Sequence, residues 1–302
     1  VAGVTVGNEV VYHYGEIAGY YLAYLAGLMV EKTTGKNFAP HAASLVGRWL
    51  RKQWRDGPAP TRLYASATED WRNDHVFLFD LAMILRGLTA VQRHGAEVWH
   101  GRQIAEFIKT KLIDSQGELL AFAANKNRPL PMAWSTDIDG HQLKAAAGLI
   151  AWGTHFDDPV LCDLGQGMVR RLTVSGVCDW PHLPLHPRLY ALEGALLCGL
   201  MTPASMAALV QRILSSTDST TERIDTVAQL LRLALFSQIE SKRIEILVKR
   251  LLESVDTDGS VRFRNDRQNA ERNTWCAIFT HQALCFYSQV RRGIPARAEL
   301  CI

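Results

Sequence analysis

The chain has 302 residues, of which 48% are hydrophobic and 21% charged, with a formal net charge of +3. These proportions suit a folded chain with a sizeable core, long enough for one large domain or two small ones. The small, scattered basic excess forms no stripe for nucleic acid. The longest apolar run, residues 17–30, is shorter than a bilayer span and carries tyrosines and glycines, so no membrane is expected. Six cysteines without C-x-x-C spacing, three of them (Cys198, Cys276, Cys285) in apolar runs, suit free thiols in a reducing, cytoplasmic setting.

Taken in order, residues 1–12 are extended, with Val, Thr and Tyr alternating loosely. An all-round apolar helix follows over 17–30, then an amphipathic one over 38–54 that ends at Asp56-Gly57-Pro58. A polar loop, 55–75, leads to a second apolar helix over 76–91 and an amphipathic partner over 97–113. The turn Asp114-Ser115-Gln116-Gly117 and a short strand at 119–122 come next. The third pair is 142–152 with 159–172, the fourth 188–201 with 203–214, and the fifth 223–236 with 241–255. A sixth apolar helix, 273–290, follows the turn at Asp258-Gly259 and has no partner after it.

An apolar helix is surrounded by protein, whereas an amphipathic one is half-solvated. Six of the first kind alternating with five of the second predict two concentric layers. The fold class is therefore all-α, an (α/α)6 toroid of six inner and five outer helices, with short β-hairpin-like loops at one end and 1–302 as a single domain. A solenoid of helix pairs is the competing arrangement, because repetition alone does not show closure. The long polar connections, 55–75, 114–140, 173–187 and 255–272, all lead into inner helices. They gather at one end, above helix N-termini whose unpaired N–H groups favour anions.

Three strings carry a resemblance: YGEIAGYY from Tyr14, HVFLFDLAMILRGL from His75, and DGSV with NTWCAIFTHQAL from Asp258 to Leu284. They resemble the repeats of six-hairpin glycosidase-like proteins, nearest to the helical domain of D-glucuronyl C5-epimerases and related polysaccharide-modifying proteins. Members of that branch tend to carry Pro where Gly15 stands, and Thr-Gly-Gln where Leu81-Ala82-Met83 follows Phe79-Asp80. The resemblance implies the toroid and an activity on an acidic or hydroxylated saccharide, as uronyl epimerase or glycoside hydrolase.

The candidate site residues lie near inner-helix N-termini. Glu16, beside Tyr14, could be a base or only a partner for the helix dipole. Asp80, alone in an apolar run, must be paired or face a cavity. Trp134, Asp137, Asp139 and His141 bring acid–base groups to the third inner helix, though both aspartates could simply cap it. The spacing also suggests the acidic string of a terpene cyclase, but Gly140 stands where a further Asp is needed. Arg188 and Tyr190 suit carboxylate recognition and proton transfer, and Glu193 is one of the carboxylates a hydrolase pair could draw on. Arg272 and Trp275 join them from the sixth segment, where an ordinary solvated loop is the plain alternative.

Glu16, Asp139, His141 and Tyr190 are the expected catalytic groups. Tyr14, Asp80, Trp134, Arg188, Glu193, Arg272 and Trp275 are the expected binding groups. His182 and His186 lie in a proline-rich stretch, with Pro184 between them, and lack helical i, i+4 ligand geometry, so no metal and no cofactor are expected. A saccharide or other small molecule is the expected partner. A non-catalytic binding or scaffold toroid is the alternative function.

Overall fold

The computed structural model describes residues 74–92, 99–124, 137–174, 183–216, 223–264, 272, 274–298 and 301, and the backbone of 3–6 and 9–13. The expected first helix pair, 17–30 with 38–54, lies outside the described residues, as do Tyr14, Glu16, Trp134 and His182. The extended N-terminal segment is a hairpin, β1 (Gly3–Val6) pairing antiparallel with β2 (Glu9–His13).

Five inner helices are described: α1 (Leu78–Gln92), α3 (Leu143–Phe156), α5 (Leu185–Leu197), α7 (Ile224–Phe236) and α9 (Thr274–Arg291). Four outer helices alternate with them: α2 (Trp99–Lys111), α4 (Pro159–Val174), α6 (Pro203–Ser216) and α8 (Lys242–Glu253). The contrast of α7 with α8 shows why the layers separate. Every residue of α7 from Ile224 to Phe236 is buried. In α8 only Ile244, Val248 and Leu251 are, a single i, i+4, i+7 stripe on a charged helix. Ser241 caps α8 by accepting from the Arg243 N–H.

The inner helices contact one another in the order α1, α3, α5, α7, α9, each outer helix packing behind them. Close approach within the ring depends on small residues. A Cβ at Gly148 would run into the Ala82 carbonyl across the α1–α3 contact, and one at Gly194 into the Lys144 backbone nitrogen across α3–α5. One continuous apolar cluster runs from Val76 through α1, α3, α5 and α7 to Phe286. The fold is an (α/α)6 toroid.

The connections into the inner helices are laced by short β pairings at the end where those helices begin. β3 (His75–Phe77) pairs with β4 (Phe122–Ala124), three residues beyond the start of the expected strand, and Val255 bridges Val261. Arg223 bridges Arg264, and Arg262 bridges Arg272. Two turns that follow outer helices share one geometry: the Asp114 and Asp256 carbonyls accept the N–H of Gly117 and Gly259, three residues on, and those glycines sit at φ 82° and 81°. Positive φ is why both turns end in glycine.

Candidate functional site at the axis of the toroid

The inner helices are apolar apart from recurring polar positions. On α5 these are His186, Tyr190 and Glu193, and on α7 Asp225, Gln229 and Arg232. Both sets are spaced i, i+4, i+7, one face of a helix. On α9 Phe279 and Gln282 occupy the corresponding face, and His141 and Lys144 do so at the start of α3. Contacts between helices place these faces against each other along the axis, in two levels.

The deeper level is an ionic floor. Glu193 Oε2 accepts from Lys144 Nζ at 2.6 Å, and its Oε1 from Arg232 at 2.6 Å. Arg232 also donates to Gln282 Oε1 at 2.9 Å, and its guanidinium lies 4.2 Å from the Phe279 ring centre. The side chains of Lys144 and Arg232 are 0% exposed and that of Glu193 is 1% exposed. Burial works to raise the Glu193 pKa, yet Arg232 and Lys144 hold it below the ordinary carboxylate value. Burial depresses the Lys144 pKa against the pull of Glu193. Next to the floor, Cys301 is buried, and its carbonyl accepts from Arg86 Nε of α1 at 2.9 Å.

The upper level, nearer the helix N-termini, gathers aromatic and titratable groups. The Tyr190 ring lies 4.9 Å from Phe79 and 4.6 Å from His186, edge-on to both, and His141 is 6.2 Å from Phe79. His186 Nδ1 is 2.7 Å from Gln229 Oε1, and its Nε2 is 3.9 Å from Asp225 Oδ2. Asp225 is gripped by Arg223 through Nε at 3.1 Å and a terminal nitrogen at 2.6 Å. Burial drives both His141 and His186 down to about 4, against the opposing pull of Asp139 on the first and Asp225 on the second. Both rings are therefore neutral at pH 7 and able to accept a proton. Burial also raises the Tyr190 pKa well above its usual value.

Of the residues expected from sequence, Asp139, His141 and Tyr190 come together here. Asp139 Oδ1 accepts from Gly140 N at 2.6 Å, capping the 3₁₀ turn Gly140–Gln142 that carries His141. Glu193 lies on the same face of α5, one turn deeper, sealed in the floor. Asp80 is buried on α1 beside Phe79. Arg188 is not brought to the cluster: at two residues from His186 and from Tyr190, it takes the opposite face of α5. Arg272 binds the preceding turn, donating to Asp256 Oδ2 at 2.9 Å and Ser260 Oγ at 2.7 Å. Trp275 opens α9, with its side chain outside the described residues.

Sequence reasoning missed Arg223, Asp225, Gln229, Lys144 and Arg232, and weighed His186 only as a metal ligand. The signal was present as Asp225, Gln229 and Arg232 at i, i+4, i+7 in an otherwise apolar helix. Among the described residues, no group of three His, Cys, Asp or Glu side chains could hold a metal ion, and no helix is long and apolar enough to cross a membrane.

This architecture, an inner ring with polar groups turned to its axis inside an outer ring, is an (α/α)6 toroid. No family model matches the chain, and no curated protein matches it. Solved structures do. A sugar epimerase from a ruminal bacterium is similar at TM-score 0.65 and 8% identity, over 94% of this chain and 91% of that one. An alpha-amylase from Clostridium perfringens is similar at TM-score 0.64 and 8% identity, over 94% and 89%. The cellobiose 2-epimerase of Bacillus thermoamylovorans is similar at TM-score 0.62 and 10% identity, over 93% and 89%. At such identities the likeness is one of fold.

Proposed function

We propose that the chain is a carbohydrate-active enzyme that epimerises an acidic or hydroxylated saccharide by proton transfer. The observation that carries this reading is the pair of neutral histidines, His141 and His186, beside Tyr190 at the N-terminal end of the inner ring. Removal of a proton from carbon needs a base that is unprotonated at working pH and a group to return the proton. Two histidines and a tyrosine from neighbouring inner helices supply such groups. Arg223 takes the role that the sequence gave to Arg188. It is partly exposed at the rim, where a carboxylate beside the reacting carbon would meet its charge.

Hydrolysis fits these groups less well. A glycosidase pair needs one carboxyl group kept protonated by a raised pKa. Glu193 and Asp225 are both held below the ordinary value, Glu193 by Arg232 and Lys144, and Asp225 by His186 and Arg223. The named activities of the solved structures, epimerases and glycosidases, support a saccharide as ligand. The full burial of His141 favours a second reading, a binding toroid without turnover.

One experiment separates these readings. Uronate-containing and neutral oligosaccharides are incubated with the protein in D2O and examined for deuterium at carbon and for cleavage. Exchange is expected, lowered by about 10²–10⁴-fold in His141→Asn and in His186→Asn. Cleavage without exchange would mark a hydrolase. Saturable binding with neither would mark the binding toroid.

A further inference from the structure

Gln229 has two halves in different situations. Its Oε1 lies 2.7 Å from His186 Nδ1, across the contact between α7 and α5. Its Nε2 is buried and has no hydrogen-bond partner among the described residues. The residue is fully buried, midway along the polar face of α7 between Asp225 and Arg232. We infer that Gln229 is a positioning residue: it holds His186 as the Nδ1–H tautomer, makes Nε2 the atom that takes the proton, and keeps its own amide NH2 for an oxygen of the bound saccharide. This rests on the proton-transfer reading above.

The chemistry follows from which atoms can donate. An amide oxygen only accepts, so Nδ1 must be the donor in this contact, and a neutral imidazole then carries its lone pair on Nε2. Asp225 Oδ2, at 3.9 Å from Nε2, is too far for a hydrogen bond. It is close enough to favour the positive charge that appears when Nε2 is protonated. In the imidazolium both ring nitrogens donate, Nδ1 to Gln229 and Nε2 toward Asp225. The ring therefore gains and gives back a proton without any neighbouring heavy atom moving. With the amide turned over, its NH2 would occupy Nδ1, and the ring could take no proton until the amide turned back.

Buried amide donors are rarely left unpaired, and those that are tend to mark a functional contact. A saccharide offers hydroxyl, ring and carboxylate oxygens, all acceptors. An NH2 group on the axial face, beside the proton-accepting histidine, suits such a ligand. The charged and titratable groups facing His186 are Asp225 and Arg223 at the start of α7, Tyr190 and Glu193 on α5, and His141 ahead of α3. Gln229 carries no titratable group, which lets it select a tautomer without fixing the charge.

The test is nitrogen NMR on the full chain carrying ¹⁵N-histidine, with His186 assigned by the loss of its signals in His186→Asn. At pH 7 the wild type should show Nδ1 protonated and Nε2 bare. Gln229→Met keeps the length but removes the acceptor, and the ring should pass to the Nε2–H form. Gln229→Glu should raise the His186 pKa by about 1–3 units. The acid limb of any deuterium-exchange profile should move up with it. An Nε2–H tautomer in the wild type, or an unchanged tautomer in Gln229→Met, would overturn the inference. Because the wild-type spectrum alone can do so, the idea stays exposed even if a variant fails to fold. A bare Nε2 together with no exchange on any saccharide would sink the enzymatic reading and leave the tautomer assignment standing.

Discussion

The floor and the upper level of the axis are built on the same helix faces, yet they treat charge in opposite ways. In the floor, Glu193 is matched by Lys144 and Arg232, with both of its oxygens used. One to two turns toward the N-termini, His141 and His186 are kept neutral by burial, and one half of Gln229 has no hydrogen-bond partner among the described residues. The lesson is that depth alone does not decide what a buried polar group does. A set of charges paired with one another rigidifies, whereas a neutral set is ready to gain a proton or a ligand.

The sharpest way to break this contrast is to unbalance the floor. Glu193→Gln strands two buried cations and should cost about 3–5 kcal/mol in urea unfolding at pH 7. Replacing Lys144, Glu193 and Arg232 together by Met, Leu and Met should be much milder, because no buried charge is left unmatched. A triple variant as unstable as Glu193→Gln would show that the floor stabilises beyond charge balance.

The upper level should respond to acid. Its two histidines have folded pKa values of about 4, below their ordinary 6.5, so between those values the unfolded chain binds more protons. Stability is full above about pH 6.5 and falls as pH drops toward 4, by about 3 kcal/mol for each ring at roughly 1.36 kcal/mol per unit. His141→Gln should remove one such share from the slope of unfolding free energy against pH. Glu193, depressed below 4.5, should begin to cost stability only at lower pH. An identical slope in His141→Gln would mean that this ring is already protonated or exposed.

Smaller effects test the frame around both levels. Gly194→Ala pushes a methyl group into the Lys144 backbone and should cost about 1–3 kcal/mol. The floor should loosen with it, since Lys144 would have to move. Lys249→Ala removes a solvent-exposed i, i+4 partner of Glu253 and should change stability by about 0.5 kcal/mol or less. A larger loss there would show that the outer layer is not the tolerant surface described above.

Sequence by itself determined the described helices, their order and their layering, because each depends on nearby residues. Apolar residues on every face of 223–236 demanded burial, and the charged flanks of 241–255 demanded water. Both demands are met in α7 and α8. The turns at Gly117 and Gly259 were equally legible, since an Asp three residues ahead of a Gly leaves the backbone few choices. His141 and Tyr190 were singled out from sequence because they lie near helix starts that follow polar loops. Which polar residues meet was decided only by the tertiary structure. Arg188 and Arg223 look alike in the sequence, each near the head of an apolar helix. The first turns away from the axis while the second clamps Asp225 beside His186. Spacing shows which residues share a face of a helix, but which face meets a given neighbour is set by packing, such as Gly194 against Lys144.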